Sequence, residues 1–214
     1  MSSVFDCRLP EERAAGRAAA VEALRRGDLV VLPTDTVYGV AADAFSGPAV
    51  DALLSAKERG RDMPVGVLVG SWRGLDGLVL SVPSNVRDLV EAFWPGGLSL
   101  VVQQAPSLSW DLGDSRGTVM VRMPLHPVAL EVLAETGPLA VSSANVSGKP
   151  PATSADEAQA QLGGAVDVYL ESGSCGEPVA STIVDVTGPV PRMLRAGAVT
   201  IEALREVVPD LEDS

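Results

Sequence analysis

Histidine, cysteine and lysine are nearly missing from this 214-residue sequence. His126 is the single histidine, and the two cysteines, Cys7 and Cys175, lie far apart. They form no CxxC pair and no metal-ligand spacing, so a structural zinc site is not expected. Any site that needs two histidines is excluded. No apolar run approaches the length of a membrane span. The N-terminal MSSVFDCRLPEERAAG has early acids and no apolar core region, which argues against a signal peptide. These absences point to a cytoplasmic, reduced protein. Positive charge is also scarce, with 16 basic against 28 acidic residues and a formal net charge of -12. Only Lys57 and Lys149 among the basic residues are lysines. A chain this acidic is expected to be a poor generic binder of nucleic acid or anionic lipid.

What is present is apolar. Hydrophobic residues make up 46% of the chain and charged residues 21%, enough for a full core and too apolar for disorder. Residues Pro10 to Arg26 read as a helix, with Ala14, Ala18, Val21 and Leu24 recurring on one face and Gly27 ending it. Leu29 to Leu32 is a short continuous apolar run, the pattern of a strand buried on both faces. Further helices are expected at Pro48 to Lys57, after an N-cap at Ser84, at Pro127 to Glu135, after the capping-box pair Ser154 and Glu157, and after an N-cap at Thr200. Strands are expected at Val65 to Val69, Leu98 to Val102, Thr118 to Arg122, Leu139 to Ser142, Asp167 to Leu170, Thr182 to Val186 and Pro191 to Leu194. This alternation argues for a single α/β domain around a mixed sheet, over about residues 10–205. Residues 1–9 and 206–214 are expected as tails, frayed from Asp210 onward.

Two motifs match chemistry they do not support. Gly113-Asp114-Ser115-Arg116-Gly117 has G-x-S-x-G spacing, but no buried strand precedes the serine and His126 follows only eleven residues later. A surface turn is the simpler reading. Ser143 to Pro150 contains Gly148-Lys149 but lacks the first glycine of a phosphate loop and the hydroxyl that holds magnesium, so a P-loop enzyme is rejected.

Five polar segments remain, each at or within a predicted strand, where ligands collect in open α/β sheets. Thr34-Asp35-Thr36 flanks a carboxylate with hydroxyls, as a self-satisfied turn or as a cradle for an amphoteric ligand. Lys57, Arg59 and Arg61 leave a helix end, either compensating its dipole or clamping an anion. Thr118, Met120 and Arg122 share one strand face. Ser142, Ser143, Asn145 and Ser147 open a loop small enough to approach phosphate oxygens. Ser181 to Asp185 is followed by a second isolated arginine, Arg195. If Lys57, Arg59, Arg122 and Arg195 converge, they form a local positive pocket in an acidic protein.

The runs PTDTVYG, K-x-R at Lys57 and Arg59, WPGGLSL, TVMVRMPLHP, AVSSANVSG, STIVD and LRAG, in this order, resemble the YrdC-like family of threonylcarbamoyl-AMP synthases. The likeness covers residues 10 to 205 and implies the short form, without a further C-terminal domain. It implies a twisted, open mixed sheet with flanking helices and a deep, positively charged cleft. It also implies a nucleotidyl transfer in which L-threonine, bicarbonate and ATP, with Mg2+, give threonylcarbamoyl-AMP and pyrophosphate. A separate transferase would use that product to modify tRNA. Carried onto this chain, Lys57 and Arg59 are the catalytic cations, with Lys57 on bicarbonate, the carbamate or phosphate. Thr36, Arg122, Val141 and Ser181 would hold L-threonine. Arg59, Thr118, Ser143 and Arg195 would hold ATP, with Thr34 and Asn145 lining the cleft. No protein metal ligand is expected, and Asp35 is a weak candidate base. Gly60, Leu68 and Pro151 depart from residues common in the family, and Leu68 leaves the amino-acid preference open. Two alternatives are a related carbamoyl-adenylate-forming domain and a double-stranded RNA-binding module.

Overall fold

The computed structural model describes residues 2–176 and 179–213. In chain order the described elements are β1 (Ser3–Asp6), α1 (Pro10–Arg26), β2 (Val30–Leu32), β3 (Gly39–Asp43), α2 (Gly47–Ala56), β4 (Gly66–Leu68), α3 (Leu75–Leu78), α4 (Ser84–Phe93), β5 (Leu98–Gln103), β6 (Thr118–Arg122), α5 (Pro127–Thr136), β7 (Leu139–Ser143), α6 (Ala155–Leu162), β8 (Val168–Glu171), β9 (Thr182–Asp185), β10 (Arg192–Arg195) and α7 (Ile201–Val207). Local chemistry sets many of these bounds. Pro10 occupies the first turn of α1 and Gly27 ends it at φ 90°, a left-handed conformation that glycine adopts without steric cost. Ser46, Ser154 and Thr200 each accept a backbone N–H that their helix leaves unpaired. Ser84 is instead the first helical residue of α4, with Pro83 before it and no side-chain cap.

The ten strands form one mixed sheet in the order β1-β8-β2-β3-β7-β4-β6-β5-β9-β10. Parallel pairs (β1/β8, β2/β8, β4/β6, β5/β9) are interleaved with antiparallel ones. Alternation along the strands feeds two cores. Val31, Val40 and Ala42 face a large core with α2, α4 and α6, while Val30, Leu32 and Ala41 face α1 and α5. The second core reaches only as far as Leu68 on β4 and Leu139 on β7. Beyond it, the same sheet face carries no helix among the described residues and forms the floor of a cleft.

Both stretches expected as tails carry structure. β1 lies within residues 1–9 and pairs in parallel with β8, from Ser3 beside Val168 to Asp6 beside Glu171. At the other end, Leu211 is buried, and Glu212 pairs with β10 by accepting Met193 N–H and donating to Pro191 O, both at 2.9 Å. Apolar burial at Leu211 and two backbone hydrogen bonds hold a segment whose composition reads as loose.

Candidate functional site

The cleft holds a cavity of about 590 Å³, a size suited to small-molecule ligands. Its floor is one sheet face. In register, Gly66 stands beside Val141, Met120 beside Val101, and Gly39 beside Ser143. Two glycines keep this floor low. A Cβ on Gly39 would lie 2.9 Å from Val141 Cγ2, and one on Gly66 would run into Met120 Cε. Leu68 stands beside Arg122, and one further step of the β5/β6 register puts Ser99 on the other side of Arg122.

Arg122 is the anchor at the deep end. Its guanidinium donates to Gly96 O at 2.8 Å, Thr36 Oγ1 at 2.7 Å and Asp35 Oδ1 at 2.6 Å. Burial lowers its pKa, and the Asp35 carboxylate opposes that shift. Asp35 Oδ1 also accepts Leu125 N–H at 2.8 Å. This carboxylate therefore holds an arginine, an arrangement unlike that of the free base considered above. Thr34 Oγ1 donates to Val37 O at 2.6 Å and lies 3.1 Å from Thr36 Oγ1, so the strand-to-loop turn is self-satisfied. It still leaves the Thr36 oxygen facing the cavity.

Arg59 forms a second wall. It donates to Met63 O, Pro64 O and Ser142 Oγ at 2.7, 3.0 and 3.1 Å. Arg195 forms the third, donating to Ser181 O at 2.7 Å and Ser181 Oγ at 3.1 Å. Burial lowers both arginines' pKa values, with Asp62 working the other way at Arg59. Thr118 Oγ1 donates to Ser115 O at 2.8 Å. Lys149 stands exposed at the rim, with no side-chain partner among the described residues.

Thr34, Thr36, Arg59, Thr118 and Arg122 line this cavity, as do Val141, Ser143, Asn145, Ser181 and Arg195. All ten were expected there. Lys57, expected to touch bicarbonate or phosphate, is not among the lining residues. It is 2% exposed, and its ammonium donates to Ser143 O at 2.5 Å, Asn145 O at 2.7 Å and Asn145 Oδ1 at 3.3 Å. Those three acceptors match its three N–H bonds, so the side chain braces the β7 loop from behind. Burial, and then the Arg59 charge, push its pKa down to about 8. Asn145 completes the brace by donating to Val146 O and Lys149 O at 2.9 and 2.8 Å. Ser99 and Lys149 line the cavity without having been singled out for it, beside Ser142 of the polar loop noted above. Period-two alternation in Leu98-Ser99-Leu100-Val101 is the signal that could have found Ser99. His126 lies outside the lining, and its buried Nδ1 has no hydrogen-bond partner among the described residues. Burial lowers its pKa.

Among the described residues no three His, Cys, Asp or Glu side chains cluster to hold a metal, and no carboxylate lines the cavity. No helix among them is long and apolar enough to cross a membrane.

The family model for Sua5, YciO and YrdC proteins, described as "Telomere recombination", matches residues 22–197. The chain belongs to this family. A Mycobacterium tuberculosis member, provisionally named a threonylcarbamoyl-AMP synthase, is 62% identical over 208 residues, covering 97% of this chain and 96% of that protein. Bacillus subtilis threonylcarbamoyl-AMP synthase is 36% identical over 89% of this chain, which spans 56% of the longer protein. Among solved structures, Pyrococcus abyssi Sua5 complexed with L-threonine superposes with a TM-score of 0.92 at 32% identity. It covers this whole chain, which spans 62% of that one. Escherichia coli YciO shares the fold, with a TM-score of 0.83 at 21% identity.

Proposed function

We propose that this chain is an L-threonylcarbamoyladenylate synthase. The observation that carries the reading is the gathering of Arg59, Arg122, Arg195 and Lys149 around one cavity without a lining carboxylate. This occurs in a member of a family that includes a threonine-bound structure. A positive local potential follows, and it suits three reactants that bring negative charge: ATP, bicarbonate and the carboxylate of L-threonine.

The threonine amine attacks carbon dioxide or bicarbonate to give a carbamate. A carbamate oxygen then attacks the α-phosphorus of ATP, and the bond to the β,γ-phosphates breaks to release pyrophosphate. With bicarbonate as the carbon source, one water also leaves. No protein nucleophile is needed, so the residues act by position and charge. Arg122 has two guanidinium N–H bonds beyond the three it uses in the fold, and these would serve an amino-acid carboxylate. The Thr34 proton is committed to Val37 O and the Thr36 proton to Thr34. Thr36 therefore offers a ligand only an acceptor, which suits the amine. Val141 supplies backbone beside it. Arg59, Thr118, Ser143 and Arg195 take the nucleotide. Lys57 serves by holding Ser143 and Asn145 in place.

Magnesium would arrive on the nucleotide's own phosphates, because the cavity offers hydroxyls and no carboxylate to bind it directly. A separate transferase would consume the adenylate to modify tRNA. Incubation with ATP, bicarbonate and each amino acid in turn, reading pyrophosphate and the adenylate mass, tests the proposal. L-threonine should be the amino acid that drives release. An adenylate lacking the threonine mass would indicate carbamoyl-adenylate formation instead. Salt-sensitive duplex RNA binding without pyrophosphate release would favour the RNA-binding alternative.

A further inference from the structure

Ser99 is a polar side chain placed where the strand pattern calls for an interior residue. It is 2% exposed, and its hydroxyl has one partner, Ser181 Oγ at 2.9 Å. Ser181 is itself 7% exposed and lies on the cavity wall. Its oxygen also accepts Arg195 Nη2 at 3.1 Å.

Proton accounting and relative burial favour one direction of the serine pair. A hydroxyl carries one proton and two lone pairs. If Ser181 donated to Ser99, the Ser99 proton would have no protein acceptor among the described residues and would be left at the cavity floor on a residue only 2% exposed, where an unmade hydrogen bond is costly. If Ser99 donates, the more deeply buried hydroxyl of the two is satisfied and the free proton falls to Ser181, the more exposed one. Ser181 then accepts from Ser99 and from Arg195, both of its lone pairs are used, and its own proton is free to point into the cavity. In that state Ser181 can only donate to a ligand, whereas Thr36 can only accept.

We propose that Ser99 is a positioning residue that locks the Ser181 hydroxyl as a donor to an anionic oxygen of the bound amino acid. This rests on the synthase reading. The pair Thr36 and Ser181 then distinguishes the two ends of a zwitterion by hydrogen-bond polarity, with the amine toward Thr36 and the carboxylate toward Ser181 and Arg122. Without Ser99, the Ser181 oxygen regains a free lone pair and its hydroxyl can rotate away.

Calorimetry of L-threonine binding, together with pyrophosphate-release kinetics, tests this on the wild type, Ser99→Ala and Ser99→Thr. Ser99→Ala should weaken threonine binding about tenfold, the scale of a lost hydrogen bond to a charged group. Its kcat and ATP KM should stay within about twofold, and Ser99→Thr should restore threonine binding. In a double-substitution cycle, Ser99→Ala should add little to Ser181→Ala, because both remove the same donor. Unchanged threonine binding in a folded Ser99→Ala overturns the assignment, as does an equal loss of ATP and threonine affinity or full additivity with Ser181→Ala. A wild-type protein that binds no L-threonine overturns the synthase reading itself, and this inference with it.

Discussion

Arg122 and Asp35 show how one buried ion pair sets the chemistry of the deep end. Their side chains are 9% and 18% exposed, so solvent screens the pair little. Asp35→Asn keeps an acceptor oxygen but leaves Arg122 without its counter-charge. It should cost about 3 kcal/mol of stability, read by denaturant unfolding. It should also raise the threonine KM more than it lowers kcat, since Arg122 loses its orientation. A base at Asp35 would give the opposite split, with kcat collapsing at unchanged KM. Lys57 makes a second case. As sequence it is a cation at a helix end, and nothing local tells a solvent-facing clamp from a buried brace. The difference lies in β7, which brings Ser143 O and Asn145 O within reach from more than eighty residues away. Its folded pKa of about 8 is below the ordinary 10.5, so between those values the unfolded chain holds the proton more tightly. The penalty for burying the charge is present in full below about pH 8 and is relieved as pH rises toward 10.5. Denaturant unfolding of wild type and Lys57→Met across that window should show wild type gaining stability relative to the variant. A parallel pH dependence in the two would place the titration elsewhere.

At the scale of elements, the cleft depends on close backbone approach. A Cβ on Gly197 would lie 2.6 Å from both Ser181 C and Thr182 N, with no flexible side chain to yield. Gly197→Ala should therefore push the Arg195 loop away from the start of β9, costing about 1–3 kcal/mol, and raise the KM of both ATP and threonine. Gly16→Ala is the matched control. Its Cβ would lie 2.7 Å from Phe5 Cβ, where α1 meets β1, so it should lower Tm and leave both KM values unchanged. A site effect from Gly16→Ala would mean that strain spreads across the sheet. These elements differ in how far the sequence announces them. The bounds of α1, β5, β6 and α5 are readable to within a residue or two, although Ala14 and Ala18 of the face expected for α1 are exposed, and Gly16, Ala20 and Ala23 are buried with Val21 and Leu24 instead. β3 is not announced, because Gly39-Val40-Ala41-Ala42 is short and built of small residues. It becomes a strand through pairing with β2 and β7. β1 escapes for a similar reason, being four residues long and held by β8, more than 160 residues away. Strand order is a tertiary property, and it decides which polar segments meet.

For the molecule as a whole, the contrast is between an acidic exterior and a cleft lined by Arg59, Arg122, Lys149 and Arg195, of which only Arg122 is ion-paired with a described residue. Lys57, Arg59, Lys149 and Arg195 form no ion pair with a described residue, whereas Arg8, Arg13, Arg26, Arg61 and Arg192 each do. The formal charge of -12 would repel ATP at a distance, so capture depends on the short-range field of the cleft. Salt acts on both contributions, and in opposite directions. It weakens the repulsion from the outer acids, and it screens the exposed rim charge of Lys149 far more than the buried arginines. If Lys149 contacts the β,γ-phosphates, Lys149→Met should raise the ATP KM about threefold at low salt, a size typical of one exposed charge. The ratio of variant to wild-type KM should then fall toward one as salt passes several hundred millimolar, while threonine KM stays level throughout. Steady-state pyrophosphate release over a salt series measures this directly. A ratio that persisted at high salt would mean that Lys149 acts by packing the loop, whereas a ratio near one at low salt would leave phosphate capture to Arg59 and Arg195 alone.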